Sequence, residues 1–170
     1  MPASGPKGGP EGGSDLWSFC SFVYAEPGVA NACLKLQDEQ GADISLLLAA
    51  LWSAVEGPGL LGGDDLVALE ELVAPFRDNV VRPLRQVRRW MKAAGYHPDP
   101  LRERIKAEEL AAERREIALI SAWLVRKVQP RRPRADPEAA LAAFLLWLAA
   151  EPGGVEPLVA AAYACRSRSR

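Results

Sequence analysis

The chain has 170 residues, of which 49% are hydrophobic and 25% are charged, and its 21 basic and 22 acidic side chains give a formal net charge of −1. These values are typical of a globular protein, and they exclude an intrinsically disordered chain and a strongly basic nucleic-acid-binding protein. The length fits a single domain that buries a sizeable core.

The charges are unevenly distributed along the chain. Residues 1–76 carry two basic and eleven acidic side chains, residues 77–134 carry sixteen basic and seven acidic ones, and residues 135–170 carry three and four. An acidic first block is therefore followed by an arginine-rich second block of equal and opposite charge. Because unpaired buried charge is costly, we expect the two blocks to complement each other in the folded protein.

The first three predicted helices lie in the acidic block. They cover residues 15–25, with Ser14 as a candidate N-cap, then residues 29–40, and then residues 44–56 after the N-cap Asp43. The third of these segments is apolar on nearly every face, which is typical of a helix surrounded by other helices. We therefore expect it to be the buried central helix of the fold.

Two prolines interrupt the next helical pattern. Asp64 or Asp65 is predicted to cap a helix that runs toward Pro75, where a kink or break is expected because proline lacks the backbone donor. Pro83 either occupies the first turn of a new arginine-rich helix over residues 83–94 or adds a second kink.

The next two helices open with the same pair of residues, an aspartate followed by a proline. Asp99 and Asp136 are each followed by proline, an N-cap and first-turn arrangement that predicts helices over residues 101–128 and 138–150. A short helix over residues 155–164 follows. Since no segment alternates apolar and polar residues as a strand does, the predicted fold class is all-α, a single irregular helical bundle of about six or seven helices.

The predicted domain organisation is one helical domain between two tails. The longest apolar runs have 12 residues, whereas a membrane span needs about 18 to 20, so no membrane segment is expected. The three cysteines lack paired spacing, which favours reduced thiols and a cytoplasmic location. The predicted parts are a disordered leader (1–13), the helical domain (14–165), with its family-like core (14–128), linker (129–135) and C-terminal helices (136–165), and a disordered basic tail (166–170).

Residues for catalysis or metal binding are scarce. His97 is the one histidine, and it lies in a loop with no cysteine close to it in the sequence. Nucleophile–base catalysis and zinc or di-iron sites all need more than this chain offers. We therefore predict no catalytic residue, no metal and no cofactor.

Carboxylates and arginines supply the candidate binding residues. Glu109, Glu113 and Glu116 recur at helical spacing, so part of a core-facing stripe is acidic. The natural partners are the arginines of the preceding helix, with Arg85 and either Arg88 or Arg89 on one face; the series is Arg82, Arg85, Arg88 and Arg89. Three interpretations stay open for this cluster: a structural ion-pair network, a ligand pocket lined by the charges, and a bound Mg²⁺ ion.

A second polar patch, LQDEQGAD, covers residues 36–43. It is interpreted first as a helix end followed by an N-cap, although its aspartates can also accept hydrogen bonds from an arginine or a ligand. The candidate ligand-binding site or buried polar network therefore has six members: Asp38, Asp43, Arg85, Arg88, Glu109 and Glu113.

The segment LWSFCSFVYAEPGVANACLKLQDEQGADISLLLAALW, residues 16–52, carries a family resemblance. It resembles the signature LWxFxxxVYxxPGVxxACLxLQDxxGxD of a family of small uncharacterised all-helical proteobacterial proteins, a domain of unknown function. VVRPLRQVRRWMK and LRERIKAEELAAERREIALI resemble its later blocks. The resemblance covers about residues 14–128 and implies a helical cytosolic bacterial protein; it brings no catalytic residues with it.

Three functional hypotheses follow from the sequence. The leading one is a non-catalytic interaction or regulatory domain that binds a protein partner or a second copy of itself. The alternative is a small-molecule-binding protein or enzyme whose pocket is lined by the paired carboxylates and arginines. The third is weak binding of RNA or DNA phosphates by the arginine-rich segments, which the equally large acidic block disfavours.

Overall fold

Helices account for nearly all of the structure. The computed structural model describes residues 15–127 and 133–168. Because α4, a π-helical segment and α5 follow one another without a break, these residues form seven continuous helices, and the predicted all-α fold is confirmed. The elements are α1 (Leu16–Ala25), α2 (Val29–Gln40), α3 (Ile44–Val55), α4 (Gly63–Phe76), the π segment (Arg77–Val81), α5 (Arg82–Ala93), α6 (Pro100–Lys127), α7 (Pro137–Leu148) and α8 (Glu156–Arg168).

Aspartates cap several helices as the sequence predicts. Asp43 Oδ1 accepts a hydrogen bond of 2.9 Å from the first turn of α3, and Asp99 Oδ1 accepts one of 2.8 Å from the first turn of α6. At α1 the cap is Asp15, whose Oδ1 accepts from the Ser18 amide at 3.0 Å. The predicted cap Ser14 lies outside the described residues.

The start of α4 differs from the prediction. Asp64 and Asp65 lie inside the first turn, and the residue before the helix is Gly62. The amide of Gly62 donates to Asp65 Oδ2 at 2.8 Å, so Asp65 reaches back to the chain that enters the helix instead of preceding it.

Pro75 neither breaks nor ends the helix that contains it. The chain passes from α4 into the π segment, a looser turn that accommodates the missing proline donor, and Asn79 Nδ2 donates to the Pro75 carbonyl at 2.7 Å. Arg77 and Val81, four residues apart, are both buried on the inner face of this segment. Pro83 lies in the first turn of α5, one of the two positions predicted for it.

The apolar core surrounds α3. Nine of its twelve residues are buried, and it packs against α1, α4, α6, α7 and α8. Phe144 of α7 and Leu158 of α8 are fully buried in the same core. This arrangement fixes the N-terminus of α3, and with it Asp43, against the middle of α6.

The contact between α5 and α6 differs from the apolar packing around α3. The two helices run antiparallel, as their paired residues show, and the one buried residue of α5 is Met91. Polar contacts therefore dominate between α5 and α6, whereas apolar packing dominates around α3.

The ends of the described ranges reach into the segments predicted as tail and linker. α8 continues to Arg168, three residues into the segment predicted as a disordered tail, because residues 156–168 form one uninterrupted helix. The predicted leader and most of the predicted linker lie outside the described residues. Ala135, at the end of that linker, donates its amide to the Ala54 carbonyl at 3.0 Å. Among the described helices, none has the length and apolar character to cross a membrane.

Candidate functional site

A cleft of about 920 Å³ opens along α1, α3, the π segment, α5 and α6. Its wall combines apolar and aromatic side chains, among them Trp17, Tyr24, Leu48 and Ile117, with a set of charged ones. A cavity of this size and mixed character is typical of small-molecule sites. The charged side chains of the wall are Asp43, Arg77, Arg82, Arg85, Arg88, Arg89, Glu103, Lys106, Glu109, Glu113 and Glu116.

Four of these side chains form an ion-pair network between α5 and α6, here called the α5–α6 network: Arg85, Arg88, Glu109 and Glu113. Arg85 donates from Nε to Glu109 Oε1 at 3.1 Å and from Nη2 to Glu113 Oε1 at 2.7 Å. Arg88 holds both oxygens of Glu109, through Nε and through Nη2, the latter at 3.0 Å. Glu109 is 5% exposed, so this carboxylate is buried between two guanidinium groups.

The α5–α6 network is ionised. Burial alone would raise the pKa of Glu109, but hydrogen bonds and charge from Arg88 and Arg85 outweigh it and hold that pKa below its usual value. For Arg85, burial is opposed by the hydrogen bond to Glu113, and the pKa is raised. Two positive and two negative charges therefore balance at this end of the cleft.

A second cluster lies at the other end, where the π segment meets α3 and α4. We call it the Arg77 cluster; it consists of Arg77, Asp43, Glu70 and Asp78. Arg77 Nη1 donates to Asp43 Oδ2 and to Glu70 Oε2, each at 2.7 Å, and Nε donates to Asp78 Oδ1 at 3.2 Å. A further bond joins Nη2 to Glu70 Oε1. The hydrogen bonds that Arg77 donates to Glu70 and Asp43 raise the pKa of its guanidinium.

Glu116 lies beside this cluster without a cation of its own. Its side chain is 2% exposed, and Ser45 Oγ donates to Oε2 at 3.2 Å. Oε1 is buried and receives no N–H or hydroxyl donor among the described residues. Burial, then the negative charge of Asp43, and then a hydrogen bond that the protonated carboxyl donates to Asp43 raise the pKa of Glu116 to about 8. At neutral pH this carboxyl is mainly protonated.

Aromatic side chains of α1 complete the cleft. The guanidinium of Arg114 lies over the Trp17 ring, 5.0 Å from its centroid. Tyr24 lines the wall close to the α5–α6 network, and burial together with the charge of Glu113 and the Cys33 thiol raises its pKa. The α1 wall is thus flat and largely apolar.

The structure brings most of the predicted site residues together. Asp43, Arg85, Arg88, Glu109 and Glu113 all line the cleft, the last four as one network and Asp43 at the other end. The exception is Asp38, which lies outside the cleft wall; its Oδ1 accepts from the exposed Arg89 at 3.2 Å.

Sequence reasoning missed Arg77 and Ser45 and gave Glu116 no separate role. Arg77 faces inward because of the π segment, and the signal for it is Pro75, two residues earlier, since π turns occur where a regular helix is interrupted and often at functional sites. Of the three interpretations that the sequence leaves open, the ion pairs and the cleft occur together. Within residues 15–127 and 133–168 no group of three or more acidic, histidine or cysteine side chains is arranged to hold a metal ion.

Fold and site together define an all-helical protein with a charged cleft. The cleft lies between the apolar core around α3 and the helix pair α5 and α6, here called the α5–α6 arm. The chain belongs to the family of proteins of unknown function DUF2390, whose model matches residues 15–120. The predicted membership of a domain-of-unknown-function family is thereby confirmed. No curated protein and no solved structure matches the chain. Every residue of the cleft wall falls within the matched range, whereas α7 and α8 lie beyond it.

Proposed function

We propose that the protein binds a small molecule in this cleft. The observation that carries the proposal is the cleft of about 920 Å³, whose wall combines the apolar side chains of Trp17 and Leu48 with the guanidinium groups of Arg85 and Arg88. A cavity that offers both apolar surface and a few oriented polar groups is typical of small-molecule sites.

The α5–α6 network supports the same proposal. Arg85 and Arg88 each use Nε and Nη2 for glutamate, and Nη1 of each forms no hydrogen bond within the described part of the chain. Both side chains line the cleft, so these donors are available to a bound molecule. The ion pairs orient the guanidinium groups in advance, which lowers the entropic cost of binding.

An interaction or regulatory role is a second proposal. It is favoured by the exposed face of α5, where Val87 and Trp90 lie one turn apart, Trp90 is 62% exposed and its ring stacks on Tyr96 with centroids 6.0 Å apart. A protein partner or a second copy of the chain is the occupant that this surface would suit. The cytoplasmic location and the proteobacterial origin also stay proposals; the buried thiols Cys20 and Cys33, which form no disulfide, support the former.

Binding of nucleic acid remains the least supported alternative. Arg77, Arg82, Arg85, Arg88 and Arg89 each pair with a carboxylate. The charges of these five arginines are therefore offset locally, which weakens the case for phosphate contacts along α5.

Tryptophan substitutions at two exposed alanines of α6 test the ligand-binding proposal. Ala107 lines the cleft, whereas Ala111, one turn later, does not. Ligand-observed NMR of a library of metabolite-sized compounds should find binders of the wild type whose affinity Ala107→Trp lowers by about tenfold or more, that is by 1.4 kcal/mol or more. Ala111→Trp should leave their affinity unchanged. A library in which no compound distinguishes the wild type from Ala107→Trp contradicts the proposal.

A further inference from the structure

Arg85 and Arg88 line the cleft with hydrogen-bond donors that the α5–α6 network does not use. Each guanidinium has five N–H donors and spends two of them, through Nε and Nη2, on the glutamates of α6. Within the described residues, the edge formed by Nη1 and the second Nη2 hydrogen has no partner on either side chain. Neither Nη1 is among the buried polar atoms that lack a partner in this part of the chain, so both face accessible space.

Two further donors lie at the same end of the cleft. Lys106 lines the wall from α6, about one turn before Glu109, and it forms no ion pair or hydrogen bond with the other described residues. Tyr24 lines the wall from α1, and its hydroxyl likewise has no hydrogen-bond partner among them. Burial raises the pKa of Tyr24, and the charges of Arg85 and Arg88 oppose that rise, which places the hydroxyl near both guanidinium groups.

The charges at this end of the cleft leave one cation unbalanced among the described residues. The α5–α6 network is neutral by itself, Arg89 pairs with Asp38, and Glu103 pairs with Arg102. Lys106 adds a positive charge that no carboxylate in this part of the chain contacts. An anion that enters the cleft therefore meets oriented N–H donors and a surplus positive charge, whereas an ammonium group meets donors to which it offers no acceptor.

We propose that the cleft takes an organic acid, whose carboxylate accepts hydrogen bonds from the unused guanidinium edges of Arg85 and Arg88 beside Lys106, and whose apolar body lies along α1. This inference rests on the proposed ligand-binding function and names the ligand's class. A planar carboxylate matches the fork of two N–H groups on a guanidinium edge. A phosphate monoester can use the same fork, but its second negative charge exceeds the one unbalanced cation and would be repelled by Glu113.

The α1 wall sets the size of that apolar body. Tyr24 and Trp17 both line the cleft, and their separation of seven residues places them on one face of α1, about 10 Å apart along the helix axis. Leu48 and Ile117 add aliphatic surface to the same cleft. An acid with one aromatic ring or a medium-length alkyl chain suits this distance. Burial of the body against the wall supplies affinity that an exposed ion pair alone does not.

Isothermal titration calorimetry with probes of one shape tests the inference. The carboxylate probe is 3-phenylpropionate. Its amide, 3-phenylpropanamide, and the amine 3-phenylpropylamine carry a neutral and a positively charged group on a similar body, and phenethyl phosphate carries the phosphate monoester. The wild type should bind the carboxylate at least about tenfold more tightly than the amide and the amine, and more tightly than the phosphate ester.

Two variants test where the carboxylate binds. Arg88→Lys keeps a positive charge opposite Glu109 but loses the guanidinium edge, so it should weaken 3-phenylpropionate by about tenfold. Lys106→Gln removes the unbalanced charge from an exposed side chain and should weaken it by about two- to fivefold. Lys92→Gln, at an exposed lysine outside the cleft wall, is the matched control and should leave the affinity unchanged. The amide should bind all three variants as it binds the wild type. Lys106→Gln decides the case if Arg88→Lys does not fold.

The outcomes separate this inference from the function on which it rests. Binding of the amide, the amine or the phosphate ester as tightly as 3-phenylpropionate overturns the carboxylate class, and so does an affinity for the acid that Lys106→Gln leaves unchanged. If 3-phenylpropionate does not bind while other compounds bind the wild type and not Ala107→Trp, ligand binding stands and the carboxylate class is wrong. If no compound distinguishes the wild type from Ala107→Trp, both proposals fail together.

Discussion

Glu116 is a residue whose ionisation opposes folding. Its pKa is raised from 4.5 to about 8, so the native protein retains a proton that the unfolded chain releases over this range. The unfolded state then binds fewer protons than the native state, and the free energy of unfolding falls as the pH rises from about 4.5 to about 8. The stability that the protonated carboxyl contributes is present at low pH and is lost toward pH 8.

Substitution by glutamine separates this effect from the rest of the protein. Glu116→Gln keeps an oxygen for the Ser45 hydroxyl and cannot ionise, so it should unfold at nearly the same urea concentration as the wild type at pH 5. At pH 8 it should be more stable by about 3 kcal/mol. Urea unfolding at pH 5, 7 and 8, with Glu108→Gln as the control, measures the difference. If the difference in the free energy of unfolding between wild type and Glu116→Gln is the same at pH 5, 7 and 8, the pKa of Glu116 is not raised.

The residues of the site divide into those that local spacing reveals and those that it does not. Arg85, Arg88, Glu109 and Glu113 were predictable because helical periodicity places each pair on one face and antiparallel packing brings the faces together. Arg77 was not, since its inward direction depends on the π segment. The raised pKa of Glu116 depends on its burial and on the approach of Asp43, a tertiary property that no sequence window contains.

At the scale of elements, the junction of α2 and α3 positions Asp43 at the cleft. Gly41 ends α2 with φ of 70°, a left-handed conformation that residues with a Cβ adopt at a cost, and its amide donates to the Gln37 carbonyl at 3.2 Å. An added Cβ would meet nothing within 4 Å, so any destabilisation on substitution comes from the backbone alone. Two residues later, Asp43 both caps α3 and binds Arg77.

Gly41→Ala should lower the free energy of unfolding by about 1 kcal/mol. Gly63→Ala is the matched control, because a Cβ there also meets nothing within 4 Å but the residue lies in the first turn of α4 with ordinary helical geometry. That change should be neutral or slightly stabilising. Urea unfolding of both variants tests the difference; equal effects at the two glycines would show that the left-handed turn does not determine the cost.

Several element boundaries follow from a cap or a helix-ending turn that the sequence encodes locally. Asp43 before α3, Gly41 after α2 and the Asp99–Pro100 pair before α6 each act as predicted. The passage from α4 to α5 could not be predicted in the same way. A proline can break, kink or loosen a helix, and the packing of Arg77 and Val81 decides among these outcomes.

At the scale of the whole molecule, the two charge blocks meet at few points. Arg77 and Arg89 of the second block pair with Asp43, Glu70 and Asp38 of the first. The arginines of the α5–α6 network pair instead with glutamates of their own block. The expected complementarity between the two blocks therefore accounts for only some of the ion pairs. The others form within the α5–α6 arm, and the cleft between this arm and the core stays open.

The helices beyond the family match pack against the core that carries one side of the cleft. α7 and α8 lie after residue 120, yet α7 packs against α3, whose N-terminus carries Asp43 and Ser45. Phe144 of α7 is fully buried in the shared core, whereas Leu146, two residues later, is 83% exposed. Both are large apolar residues of one helix. Replacing each of them by alanine therefore compares the loss of a buried side chain with the loss of an exposed one.

Phe144→Ala should lower the free energy of unfolding by about 3–5 kcal/mol, because it removes a buried ring and leaves a cavity against α3. Leu146→Ala should change it by less than about 0.5 kcal/mol. Urea unfolding followed by circular dichroism measures both. If Phe144→Ala costs no more than Leu146→Ala, then α7 is accessory, and the residues of the family match hold the cleft by themselves. A large difference means that the site on α3 and α6 depends on a helix that the family match does not include.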